Sequence, residues 1–157
     1  MSTYVPDRSG ASGKFHVGGD IEGARASASR TLESHGITPT PQRVEIARIL
    51  LARPQHLSAE QVLSCLKSGD LSVSKATVYN TLGLFAEKGL VREVIVDPSK
   101  VFYDSNCSEH HHFYDVDSCT LTDIDAADID VGGLPDAPEG KSVDRVDVIV
   151  RVRTRER

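Results

Sequence analysis

The chain has 157 residues, with 18 Lys and Arg against 23 Asp and Glu, a formal net charge of −5 and 39% hydrophobic residues. That length holds one average domain or two small ones, and no apolar run approaches the roughly 18–20 residues of a membrane-spanning helix. Cys65, Cys107 and Cys119 make an odd set of three, which argues against a disulfide framework and for a reducing, cytoplasmic setting. The N-terminus also lacks the basic-then-apolar pattern of a secretory signal.

The charge is unevenly spread. Residues 21–100 hold ten Lys/Arg against eight Asp/Glu, a net of +2, whereas residues 101–157 hold six against thirteen, a net of −7. Such a split suits a nucleic-acid-facing first half and an acid-rich, cation-gathering second half. The positive excess is small, so the case for nucleic acid rests on the pattern of elements.

Residues 1–20 are rich in Ser and Gly and read as a loose arm. A small-residue helix is expected from about Glu22 to His35, stopped by Gly36. Thr40-Pro41 has the form of an N-cap followed by proline at the first helical position. Val44, Ala47, Leu50 and Leu51 then supply an apolar stripe, ended by Pro54. Ser58-Ala-Glu-Gln61 has capping-box form, and Ala59, Val62, Leu63 and Leu66 line one face of a third helix. Ser74 caps a fourth, with Val78, Leu82 and Phe85 turned inward and Gly89 as its stop.

The period then changes. Residues 91–96 and 101–104, joined by the turn Asp97-Pro98-Ser99-Lys100, read as a β-hairpin. Helices followed by a hairpin make a winged helix-turn-helix over residues 21–104, with Ser74–Lys88 as its reading helix. Lys75, Thr77, Tyr79 and Asn80 would be presented outward, where Lys neutralises phosphate, Asn pairs with a base edge, and Tyr or Thr packs on a thymine methyl. A solvated polar face on an ordinary bundle is the plainer account of one such helix, and the hairpin tips the balance toward DNA.

Residues 105–157 read as a small α/β dimerisation module. Strands are expected around His112–Val116 and Leu121–Asp125, with a breaker-rich loop near residues 131–140. In a final strand Val146, Val148, Val150 and Val152 would form one apolar face. Some fifty residues enclose too little core to stand alone. A second copy would cover that face, so a homodimer on a two-fold DNA operator is expected. The fold class is therefore α+β.

Three consecutive histidines, His110, His111 and His112, lie just past the wing. On a strand His110 and His112 face one way and His111 the other, so the outer pair can clamp one cation. An H-x-H pair with a distant acid also occurs in metal-dependent oxygenases of the cupin type. Those need about eight strands and a further histidine, neither of which is found here, so an enzyme is not expected. A metal-free winged-helix adaptor is a third reading.

The stretches Gly36-Ile-Thr-Pro-Thr-Pro-Gln-Arg43, His56-Leu-Ser-Ala-Glu60 and Ala76-Thr-Val-Tyr-Asn-Thr-Leu82 resemble the ferric uptake regulator (Fur) superfamily. Tyr103-Asp-Ser-Asn-Cys-Ser-Glu-His-His-His-Phe113, Leu134-Pro-Asp-Ala-Pro-Glu-Gly140 and Val146-Asp-Val-Ile-Val-Arg151 are similar to its iron response regulator (Irr) branch. The resemblance runs over roughly residues 24–153. It implies a metal-responsive repressor of iron or haem homeostasis, and adds Arg43 to the DNA contacts.

It also implies a regulatory metal site of His56, Asp104, His110, His112 and Asp123, with Asp115, Asp117 and Asp125 competing for the last place. That nitrogen/oxygen set suits Fe(II) or Mn(II) and accepts Zn(II). The Irr branch further implies haem, with His111 as an axial ligand. The peroxide-sensing PerR branch is the close alternative, in which peroxide oxidises a ligand histidine at Fe(II).

Several positions depart from the family. Asp115 and Ser118 stand where many relatives carry Cys-x-x-Cys, so no structural four-cysteine zinc site is expected. No histidine follows His112, Asn80 replaces a common arginine, and Thr38 replaces a lysine ahead of the second helix.

Overall fold

The computed structural model describes residues 20–155. The arm expected over residues 1–20 lies outside the described residues except for Asp20. Four helices dominate the first part of the chain: α1 (Ile21–Ser34), α2 (Pro41–Leu50), α3 (Ala59–Leu66) and α4 (Lys75–Glu87). Side-chain chemistry sets their ends. The Thr40 hydroxyl accepts from the Arg43 amide with Pro41 in the first turn. Ser58 and Gln61 cap each other reciprocally, and Ser74 accepts from the Thr77 amide. Gly36 and Gly89 close α1 and α4 at φ of 70° and 72°, a left-handed conformation that glycine adopts without a Cβ clash.

The apolar stripes of these helices meet in one core, where Leu32, Ile46, Leu50, Val62, Val78, Leu82 and Phe85 are fully buried. Ile46 is deeper than the expected stripe residues Val44 and Leu51, which are only partly buried. Helix α2 packs on α1, α3 and α4 together, so its buried arc is wider than a single stripe.

The wing hairpin is β2 (Arg92–Asp97) and β3 (Lys100–Asp104). A short β1 (His56–Ser58) pairs antiparallel with β3, giving the order β1-β3-β2. Three residues carry too little alternation to announce a strand in the sequence; the pairing with β3 makes it one.

A second sheet, ordered β5-β4-β6, holds β4 (His110–Asp115), β5 (Thr120–Asp125) and β6 (Ile149–Val152), with a 3-10 turn at Ala126–Asp128. Strand β4 starts two residues before the expected His112, which brings the whole histidine run into the ladder. The last strand differs more from expectation. Only Ile149–Val152 pairs, and it runs parallel to β4 with Ile149 opposite His112 and Arg151 opposite Tyr114. Ile149 and Arg151 therefore share the inner face, where Arg151 sits over the Tyr114 ring. The valines Val148 and Val150 stay half-buried and Val152 exposed, beside an exposed Phe113. The apolar face exists but points away from the chain's own core.

The wing lies between the two cores. Tyr103 joins the helical core, while Val94, Val96 and Phe102 pack with Tyr114 and partly buried Leu121 and Ile149 of the second sheet. Polar struts reinforce this contact. The Arg92 guanidinium donates to the Ser108 and His110 carbonyls and to Asp147, and Arg151 donates to the Val96 carbonyl.

Candidate metal centre

Two cross-strand pairs, one from each sheet, build a cluster of titratable side chains. In the first sheet His56 stands opposite Asp104 across β1 and β3. In the second, His112 stands opposite Asp123 across β4 and β5. His110 lies two residues before His112 and so shares its face. One nitrogen or carboxylate oxygen from each of these five residues lies within 4.8 Å of all the others.

Their spacing fits a single cation. A ligand shell of radius about 2.1 Å puts neighbouring donors about 3.0 Å apart at right angles and about 3.4 Å apart at tetrahedral angles. Asp104 Oδ2 lies 2.8, 3.2 and 3.3 Å from Nε2 of His110, His112 and His56. Asp123 Oδ1 lies 2.7, 3.6 and 3.6 Å from Nε2 of His56, His110 and His112.

Proton bookkeeping points the same way. His110 Nδ1 is 2.7 Å from the Ser108 carbonyl oxygen, which can only accept, so Nδ1 carries the proton. The remaining His110 Nε2 lies 2.8 Å from Asp104 Oδ2, so a positive charge, either a proton or a metal ion, belongs between them. A second nitrogen anchored to a backbone carbonyl is the arrangement that orients metal-binding histidines. His56 Nε2 is buried and close to both carboxylates, yet neither is aligned to hydrogen-bond it.

The electrostatics favour a cation at neutral pH. Burial pushes the fully buried Asp104 carboxyl upward and is the largest single influence. His112, His56 and the Asn106 amide outweigh it and hold the group far below the usual carboxylate range. Burial likewise pulls His56 down, but Asp104 and Asp123 more than offset it and leave its pKa raised. The site keeps a permanent negative pole.

Of the four acids weighed for the last position, Asp123 joins the cluster. Asp115 accepts from the Asp117 and Ser118 amides, Asp117 from the Thr154 amide, and Asp125 from the Ala127 amide. His111 points to the opposite face of the sheet, buried, with its Nδ1 accepting from the Val148 amide at 3.3 Å. Asp115 and Ser118 bear no thiol, and all three cysteines are free.

On α4, Lys75, Tyr79 and Asn80 are exposed. Thr77 is half-buried, its hydroxyl 2.9 Å from Ser74 Oγ, so it serves the helix cap before anything outside. Arg43 donates to the Thr38 carbonyl and lines, with Gln42, Thr77 and Asn80, a groove between α2 and α4. The Tyr79 hydroxyl donates to Glu60, and Lys75 Nζ lies 5.7 Å from the centre of its ring. Glu60 escapes sequence reading because it looks like an ordinary first-turn acid of α3.

A model of the ferric uptake regulator family matches residues 34–135. A ferric uptake regulation protein from Synechococcus elongatus is 38% identical over 100 residues, covering 62% of this chain and 68% of the relative. A peroxide-responsive repressor, PerR, from Staphylococcus aureus is 33% identical over 92 residues, covering 59% and 62%. Among solved structures, the ferric uptake regulator from Pseudomonas aeruginosa with manganese aligns at a TM-score of 0.63 and 26% identity, over 82% of this chain and 98% of that one. The matched segment takes in α2 to α4, the wing and the five-residue cluster. This chain belongs to the ferric uptake regulator family, whose members are metal-responsive, DNA-binding transcription regulators and not enzymes.

Proposed function

We propose that the chain is a metal-responsive repressor of the iron response regulator type, acting in the cytoplasm as a homodimer on a two-fold DNA operator. Residues 21–104 form the reading head and residues 105–157 the pairing and sensing module. Fe(II) or Mn(II), with Zn(II) accepted in vitro, is held by His56, Asp104, His110, His112 and Asp123. The convergence of three imidazole nitrogens and two carboxylate oxygens, all within 4.8 Å of one another, carries this reading.

His56 and Asp104 belong to the reading head, and His110, His112 and Asp123 to the second module. A divalent cation supplies positive charge and fixed bond directions at this junction. The chain's own residues do the rest: Ser108 orients His110, the Asn106 amide orients Asp104, and Arg92 ties the wing to the β4 backbone. A ligand that favours one relative placement of the modules biases the population toward it. Arg43, Lys75, Tyr79 and Asn80 then meet the duplex, with Thr77 holding the start of the helix. The outward face with Phe113 and Val152 supplies the pairing surface.

Likeness to the staphylococcal peroxide-responsive repressor supports a second reading, in which the same ligands hold iron for peroxide sensing. Haem through His111 is the less supported cofactor. With Nδ1 accepting from Val148, the neutral ring carries its proton on Nε2, and ligation there would break that hydrogen bond.

The test is a DNA-binding titration at fixed salt on duplexes selected from a random pool. Fe(II), Mn(II), haem and peroxide are added separately to the wild type and to a His110→Ala/His112→Ala variant. Fe(II) or Mn(II) should shift wild-type affinity tenfold or more, by roughly 1.4 kcal/mol, and leave the variant unmoved. Equal affinity in every arm would instead support a metal-free adaptor.

A further inference from the structure

Away from the metal cluster, one thiol stands with a cation and a phenol drawn from two other strands. Cys119, in the turn between β4 and β5, has its Sγ 2.8 Å from Lys100 Nζ at the tip of the wing. Lys100 Nζ also reaches the Tyr114 hydroxyl of β4 at 3.2 Å. The thiol contacts of Cys107 are looser, 3.6 and 3.7 Å to the Gly89 and Leu90 carbonyls.

The two environments differ in sign. Lys100 first, then Tyr114, hold the Cys119 thiol below its usual value, against opposition from burial and Asp115. Burial first, then Asp104, push Cys107 up. A thiolate beside an ammonium is the nucleophilic form of cysteine. Cys119 and Lys100 are both half-exposed and line one open cleft of 590 Å³ with Glu60, Tyr79 and Phe102, so a small oxidant has access. The pair also joins separate parts of the fold, since Lys100 lies on the wing sheet and Cys119 in the turn linking two strands of the second sheet.

We propose that Cys119 and Lys100 form a hydroperoxide-driven covalent switch, closing a sulfur–nitrogen bond that fastens the wing to the β4–β5 turn. The Cys119 thiolate attacks the outer oxygen of the hydroperoxide. The O–O bond breaks, sulfur is oxidised by two electrons to the sulfenic acid, and an alkoxide or hydroxide leaves. That base takes a proton from the Lys100 ammonium. The freed amine attacks the sulfenic sulfur, water departs, and Cys119 Sγ–Nζ Lys100 remains as a sulfenamide. Sulfenic acids condense in this way with nearby nitrogen and are recovered by thiols. The closed form loses the Lys100 charge, and a hydrogen bond between the sheets becomes a covalent one.

Full-length protein in excess chelator, so that no metal-borne oxidation competes, is treated with hydrogen peroxide, quenched and digested with trypsin. Residues 101–140 hold no Lys or Arg, so the expected product is the single uncut peptide 93–141, two hydrogens lighter than its linear form. Trypsin cuts it at Lys100 once dithiothreitol has reopened it. Lys100→Arg keeps the positive charge and should yield a dimedone-trappable sulfenic acid on Cys119 in its place. Cys119→Ser should give no joined product. Iodoacetamide should alkylate Cys119 about tenfold faster than Cys107 near neutral pH.

Equal alkylation rates for the two thiols would overturn the proposal. So would a trappable sulfenic acid in the wild type with Lys100 cut normally. A joined pair carrying an extra oxygen would overturn the assigned bond.

Discussion

Asp104→Asn tests both the metal assignment and the charge buried at the site. Asp104 is fully buried, and its Oδ2 is the oxygen that three imidazoles approach. Asparagine has the same shape but carries no charge. No cavity opens, but the variant loses the interactions with His112, His56 and the Asn106 amide that hold Asp104 far below the carboxylate range. At neutral pH its metal-free form should therefore melt below the metal-free wild type.

Metal affinity falls as well, because one anionic donor and the negative pole of the site both disappear. At a free Mn(II) concentration of about 100 times Kd, binding stabilises the wild type by about 2.7 kcal/mol. At about 2–4 °C per kcal/mol for a chain of this size, that is a rise in Tm of about 5–11 °C. A loss of about 100-fold in affinity, the upper end for disturbing even an outer partner of a metal ligand, leaves about 0.4 kcal/mol, or about 1 °C. Thermal unfolding followed by circular dichroism, with and without Mn(II) at one pH, measures both numbers. A full metal-induced shift in Asp104→Asn would refute the assignment of Asp104 as a ligand. A metal-free Tm equal to that of the wild type would refute the stabilising charge contacts assigned to Asp104.

Three further outcomes follow from the same geometry. Lys75→Ala should weaken DNA binding evenly across sequences and reduce the salt slope by about 1, whereas Asn80→Ala should cost about 1–3 kcal/mol and relax preference at one base step. Phe113→Asp, placed among the exposed residues of the second sheet, should move the protein from dimer to monomer in sedimentation velocity; an unchanged dimer would locate the pairing face elsewhere. Glu45 is held below the carboxylate value of 4.5 by Arg48, with burial opposing and Arg25 assisting. A depressed folded pKa contributes stability above the unfolded value and loses it as pH falls, so wild-type urea midpoints should drop below pH 4.5. Glu45→Gln should flatten that slope.

What the sequence announces and what it hides divide along contact range. Thr40-Pro41, Ser58–Gln61 and Ser74 each state a helix start within four residues, and the structure shows a side-chain cap at each. The reading-helix core residues Val78, Leu82 and Phe85 follow the helical period and are all fully buried. Strand β1 is invisible locally, because only β3 beside it makes His56–Ser58 a strand. The choice of Asp123 over its neighbours depends on its register opposite His112, and the Tyr79–Glu60 contact joins two helices. The direction of β6 is equally non-local. Alternation marks the valines as one face, but parallel pairing with β4 decides that Ile149 faces the core.

The contact between the two sheets also decides what a cation there can do. Val94, Val96, Phe102 and Tyr114 are buried in it, and at about 1.5–3 kcal/mol for each fully buried side chain they contribute about 6–12 kcal/mol as an upper bound. Arg92, with its bonds to Ser108, His110 and Asp147, adds directional ties. A coupling free energy between sites is typically about 1–3 kcal/mol, small beside that sum. On these magnitudes the proposed modules should stay docked without the cation, which would tilt an existing contact. A regulator built in this way responds to metal by a graded change in DNA affinity. Loss of the metal should leave its near-ultraviolet circular dichroism and hydrodynamic radius close to those of the loaded form, and a large expansion on chelation would mean that the apolar contact is weaker than its buried side chains indicate.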